Sequence, residues 1–204
     1  MRCKRVASVL TILCFLVLFV AVGNICAADE PLWHGDWGAS VEEVKAIIDI
    51  DPDYEDFDKI DDLKISELMY SKTKADYKES IIYTFFDDKL AKVFFSGEIE
   101  NLQNTAKDHA EINDLISDLK QNISLMFHQP DSIAIENINS NENNLLETHA
   151  LFKSQNSFVG LSTYFYTTQG TFLYYINAHD SLNDGNKDDV LSLNSLWNEL
   201  EQNK

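Results

Sequence analysis

The spacing of hydrophobic and polar positions changes several times along the chain, and each change marks an element. Val6 to Ala28 is an uncharged, mostly apolar run that follows the basic residues Arg2, Lys4 and Arg5. This predicts a secretory signal, residues 1–28, with the small residues Cys26 and Ala28 at the −3 and −1 positions and cleavage after Ala28. Two other readings stay open. The run is long enough to cover roughly 30 Å as a helix, so it could persist as a membrane anchor with the domain outside. Lipidation of Cys26 is the third reading, although Ile25 stands where bacterial lipoprotein signals place a small residue.

Beyond the signal the pattern alternates between helical and strand periods. Ser40 followed by Glu43 forms a capping box, and Val41, Val44, Ile47 and Ile48 then give one apolar helix face, with Pro52 as the stop. Asp49 to Asp62 reads as an acid-rich loop, and Leu63 to Tyr70 as a strand. Ile81–Phe86 and Leu90–Phe95 are rich in β-branched and aromatic residues and flank Asp87-Asp88-Lys89 as a hairpin. From about Gln103, Ile112, Leu115, Ile116, Leu119, Ile123, Met126 and Phe127 recur at steps of three and four, which lays a stripe along a long helix ending at Pro130. Ser132 to Asn137 reads as a strand, and the asparagine-rich run from Asn137 to Asn144 as an exposed loop. Leu145 to Lys153 alternates, and Phe158–Thr167 pairs with Thr171–Ala178 across Thr168-Gln169-Gly170 as a second hairpin. Val190, Leu193, Leu196, Trp197 and Leu200 mark a terminal amphipathic helix over residues 188–202.

These elements predict an α+β fold. An antiparallel sheet is built from two helix-plus-strands halves, residues 33–98 and 103–178, with helices packed on one face and the other face partly open. Removing 28 of 204 residues leaves 176, enough for one exported domain with a sizeable core, residues 29–204.

Charge and cysteine usage narrow the function classes. The whole chain has 16 basic and 34 acidic residues; the signal holds three of the basic ones and no acid, so the exported part carries 13 against 34, a net charge of −21. Such a surface repels phosphate backbones and anionic headgroups, which excludes nucleic acid as a partner and leaves membrane contact only to an uncleaved signal. It suits a basic protein partner or a divalent cation, and also keeps an exported domain soluble. Cys3, Cys14 and Cys26 all lie in the signal, so the exported part has no thiol, disulfide or cysteine nucleophile. That absence points to a periplasmic, envelope or secreted bacterial protein.

Trp37-Gly38-Ala39-Ser40-Val41-Glu42-Glu43-Val44-Lys45, with Tyr83-Thr84-Phe85-Phe86-Asp87-Asp88-Lys89-Leu90 downstream, resembles a broad set of small exported bacterial proteins of the W-G-x-S-x-x-E-V-K type. The helix start is also similar to that of the small outer-membrane assembly lipoproteins, whose fold resembles the β-lactamase inhibitor protein. The resemblance implies helices packed on an antiparallel sheet and an envelope-associated binding role. No Gly-x-Pro closes the first helix here.

Candidate sites follow from residue chemistry. Tyr164, Tyr166, Phe172, Tyr174 and Tyr175 in the second hairpin offer aromatic area with polar tips, and Tyr164, Tyr166 and Tyr174 are the expected partner contacts. Trp33 and Trp37, beside His34 and Asp36, could stack on a sugar or peptide or could cover the end of the core. Eight carboxylates between Asp49 and Asp62, with Asp51, Asp53, Glu55 and Asp62 as the candidate ligands, could attract calcium, but the spacing fails that of an EF-hand because Asp56 replaces the needed glycine. Asp180 to Asn186 offers such a glycine, Gly185, yet Leu182 and Leu191 stand where oxygen ligands are required. His109, His128, His149 and His179 show no metal-binding spacing. No cofactor motif, phosphate-cradling loop or nucleophile elbow is present in the sequence, so no cofactor is expected and a non-catalytic binding or inhibitor-like domain is favoured. A secreted hydrolase with paired carboxylates and a calcium-binding envelope protein are the alternatives.

Overall fold

The computed structural model describes residues 32–60, 62–126, 131–140, 144–185 and 192, with backbone alone for 131–140. The predicted signal and, Ser192 excepted, the predicted C-terminal helix lie outside these residues.

Helix α1 spans Val41–Ile48. Its capping box forms as the sequence requires: Ser40 Oγ accepts from the Glu43 amide at 3.3 Å, and Glu43 Oε2 accepts from the Ser40 amide at 2.8 Å. Asp88 Oδ1 accepts from the Val41 amide at 3.1 Å, so the helix start is also tied to the first hairpin turn. The helix ends at Asp49, which takes a left-handed conformation with φ 55°, before Pro52 is reached. Val41 and Val44 are buried, whereas Ile47 is turned outward.

Strands β1 (Tyr54–Ile60), β2 (Leu63–Lys74), β3 (Tyr77–Phe86) and β4 (Lys89–Ile99) follow as a meander. Helix α2 (Ala106–Met126) leads to a second meander of β5 (Asp131–Ser140), β6 (Leu145–Ser154), β7 (Ser157–Tyr166) and β8 (Thr171–Asp180). Together the strands form one eight-stranded sheet in the order β1-β2-β3-β4-β8-β7-β6-β5, and every neighbouring pair is antiparallel. Asp87 and Asp88, with φ 49° and 62°, make the tight two-residue turn that joins β3 to β4, and aspartate tolerates this region better than most side chains.

Two loops expected from the sequence contain strands. Residues 49–62 include β1, whose every residue is exposed; with neither face buried it has no alternating pattern to betray it. The asparagine-rich run is strand through Ser140, because the ladder to β6 supplies Asn137 and Asn139 with backbone partners opposite Thr148 and Leu146.

The main hydrophobic cluster lies on one face of the sheet, while Phe86, Leu151 and Phe158 are buried on the other. Tyr83, Val93, Ala178, Val159 and Phe152 stand directly opposite one another across β3, β4, β8, β7 and β6, and all five are buried. Val41 and Val44 of α1, and Ile112, Leu119 and Ile123 of α2, join the same cluster. Both helices therefore cover one face of an antiparallel sheet.

Candidate functional site

Alternation along the strands sends every second side chain to the face away from the helices. There the ladder places Ser71, Ser80, Ser96, Tyr175, Ser162 and His149 in one straight row across β2, β3, β4, β8, β7 and β6. Ser80 Oγ and Ser96 Oγ are 2.8 Å apart, and Ser162 Oγ lies 3.0 Å from His149 Nδ1. The row contains no carboxylate, lysine or arginine.

Aromatic rings lie beside this row. Phe94 stacks on Tyr175 with centroids 6.0 Å apart, Tyr164 meets Tyr175 edge-on at 5.9 Å, and His149 meets Tyr164 edge-on at 5.6 Å. Burial raises the Tyr175 hydroxyl above its ordinary pKa, and the Tyr166 and Tyr164 hydroxyls and Glu98 add to the effect, so it stays a neutral donor. Next to Tyr175 is a shallow depression of about 310 Å³ bordered by Ser71, Thr73, Lys78, Ser80 and Glu98. Hydroxyls that both donate and accept, set between aromatic rings, suit a polar surface with apolar patches better than a deep small-molecule pocket.

Glu147, His149 and Ser162 stand in the order of acid, base and hydroxyl, with His149 Nε2 3.4 Å from Glu147. The Glu147 contact is long for a hydrogen bond. Ser162 sits in β7, which is paired on both sides by β6 and β8, so the neighbouring amides are engaged in ladders rather than aimed at a developing oxyanion. The trio orients the imidazole on the face; it does not make a nucleophilic centre.

One end of this face is closed by the chain after β8. Asp184, fully buried, lies 3.0 Å from His179 Nδ1 and 3.4 Å from Lys92 Nζ. Asp180 accepts from the Leu182 amide at 3.1 Å and from Asn183 Nδ2, which shapes residues 180–184 as a turn.

The predicted contact residues divide between the two faces. Tyr164 and Tyr166 lie on the face away from the helices, partly exposed. Tyr174 does not: it is 1% exposed, stacked over Gly97 within the core, and hydrogen-bonded to Tyr77 and Glu79. Tyr175 takes the outward place. Phe94 and His149 were not among the contacts expected from the sequence, and Tyr175 was grouped with the hairpin aromatics without being singled out, because only strand register reveals which of two adjacent rings points outward. Trp33 is likewise buried, and it meets Trp37 at 5.8 Å and 46° against the core, so the two rings seal the core rather than offer a stacking platform.

The acidic residues are not gathered around a common point. Asp53 accepts from the Ser71 amide and hydroxyl, which lowers its pKa; Glu55 pairs with Lys45; Asp62 lies 4.0 Å from Lys59; Asp51 is exposed. Among the described residues no three His, Cys, Asp or Glu side chains are grouped as a metal site. Among the same residues no helix is long and apolar enough to cross a membrane.

Comparison with protein-family models, with curated proteins and with solved structures finds no match.

Proposed function

We propose that the chain is an exported, non-catalytic protein-binding domain of the inhibitor-like kind, which offers the sheet face away from α1 and α2 to a protein partner. The observation that carries this reading is the ring series His149, Tyr164, Tyr175 and Phe94, set on rigid strands beside a hydroxyl row. Tyrosine on a fixed strand supplies large contact area at little entropic cost and keeps a polar tip for hydrogen bonds. In the same proposal the two helix-plus-meander segments are related halves, in line with the resemblance to the β-lactamase inhibitor fold, and the basic, apolar N-terminus serves as a signal for export to the envelope or medium. Strong negative charge favours a basic partner.

The test is crosslinked capture from the native envelope or culture fluid, with the parent protein beside a Tyr164→Ser/Tyr175→Ser variant. Both rings are partly exposed, so far-UV circular dichroism and the urea midpoint should stay close to the parent while capture falls. Equal capture by parent and variant would refute the reading. Recovery of the native chain full-length in the cytosol would refute the export step separately.

A further inference from the structure

The outer edge of the sheet at β1 has properties that the face away from α1 and α2 does not share. β1 is the terminal strand, paired with β2 alone among the described residues, so its outward N–H and C=O groups have no ladder partner; the Phe57 and Lys59 amides donate instead to the adjacent Asp56 and Asp58 carboxylates at 2.8 and 2.7 Å. Apolar side chains accumulate here without burial: Ile47, Ile50, Tyr54, Phe57 and Ile60 are 50% to 65% exposed. By register Tyr54 and Ile60 lie on the side of the sheet away from α1 and α2 and Phe57 on the side that they cover, so either side of an added strand would find an apolar neighbour. Around them residues 49–62 carry eight carboxylates and one lysine.

Charge on an edge strand commonly blocks unwanted pairing, and here it selects what is blocked. A second copy of residues 49–62 would bring another eight carboxylates with one lysine, and β5, the opposite edge, contributes Asp131 and Glu136 with no basic residue. Both modes of self-pairing set like charge against like charge. A basic strand meets the opposite condition: outward carbonyls without a ladder partner, apolar side chains on both sides and a surplus of carboxylates, with its own amides and cations competing for the Asp56 and Asp58 carboxylates that hold the Phe57 and Lys59 amides.

We propose that the free edge of β1 accepts an extended segment of another protein, bearing lysine or arginine alternating with apolar residues, as a ninth strand. This surface is separate from the Tyr164 and Tyr175 face, and its test is independent of that one. The probe is a synthetic peptide of roughly ten residues, about the length of β1 and its flanks, alternating Lys and Val, with blocked ends. Two controls accompany it: the same peptide with Glu for Lys, and the Lys-Val peptide N-methylated at alternate residues, which keeps charge and side chains but removes backbone donors.

The expected result is saturable binding of the Lys-Val peptide to the purified chain, with amide exchange slowed over residues 54–60. Each control should bind at least about tenfold more weakly, which corresponds to roughly 1.4 kcal/mol. Asp56→Asn/Asp58→Asn should weaken binding, and Tyr164→Ser/Tyr175→Ser should leave it unchanged. Equal binding of the N-methylated peptide, protection located away from β1, or absence of binding at low salt would each overturn the proposal.

Discussion

Gly97→Ala is the substitution that most directly tests which face each tyrosine of β8 occupies. A Cβ at position 97 would lie 2.1 Å from Tyr174 Cζ, 2.2 Å from Cε1 and 2.4 Å from the hydroxyl oxygen, where ordinary contact begins at 3.4 Å. The ring must therefore move by about 1.3 Å or more. It has little freedom to do so, being 1% exposed and set between Phe95 and Phe172, with centroids at 5.9 and 6.0 Å. Its hydroxyl also lies 2.8 Å from that of Tyr77 and donates to Glu79 at 3.1 Å. Overpacking of this kind costs ~1–3 kcal/mol, and each hydrogen bond lost from a buried hydroxyl costs ~1 kcal/mol. Alanine in a strand recovers only ~0.5–1 kcal/mol relative to glycine.

A net loss of about 3 kcal/mol follows, which corresponds to roughly 6–12 °C in Tm for a domain of this size. Urea unfolding should show a lower midpoint with unchanged slope. Tyr174→Leu, which removes the far end of the ring, should interact with Gly97→Ala in a double-mutant cycle, so that the pair costs less than the sum of the two. Parental stability for Gly97→Ala, or strict additivity with Tyr174→Leu, would show that Tyr174 does not lie over Gly97. A one-residue slip of β8 would then be the simplest account, and it would exchange Tyr174 and Tyr175 between the faces. The proposed contact surface would fail with it.

The helix caps predict a pH dependence of defined sign. Glu43, through Ser40, and Asp108, through the Thr105 amide and hydroxyl, are held below the ordinary carboxylate pKa. The stability they contribute is fully present above the unfolded-state value, about 4, and is lost as pH falls through the lower folded-state values. Urea midpoints between neutral and strongly acidic pH should therefore fall less steeply for Glu43→Gln and Asp108→Asn, which remove the titrating carboxylates, than for the parent, and parallel curves would refute the assignment. Asp184→Ala removes the buried carboxylate that Lys92 and His179 both contact, and should cost roughly 3 kcal/mol in urea unfolding. A change below about 0.5 kcal/mol, the range of ordinary surface substitutions, would show that the turn after β8 is not anchored through Asp184.

Elements with one buried face were legible in the sequence. Ile112, Leu119 and Ile123 repeat at helical spacing because one side of α2 enters the core, and Ser40 with Glu43 marks the start of α1 through bonds that need no tertiary context. β1 was not legible, since a strand exposed on both sides is under no pressure to alternate. The end of β5 was hidden for a different reason: Asn137 and Asn139 carry turn preferences that the ladder to β6 overrides.

The candidate site lay between these cases. Tyr164 and Tyr166 are two positions apart and share a face in any extended reading, so their grouping needed only the strand itself. Tyr174 and Tyr175 are adjacent, and local sequence treats them alike. What separates them is Gly97 on β4, more than seventy positions earlier, whose missing side chain makes room for one ring on the core side and thereby commits the next to the other side. The same register aligns Ser71, Ser80, Ser96 and Ser162 from four different strands into one row. None of these serines is informative in its own neighbourhood. The surface is a property of strand pairing, and it becomes readable only when the order of β4 beside β8 is known.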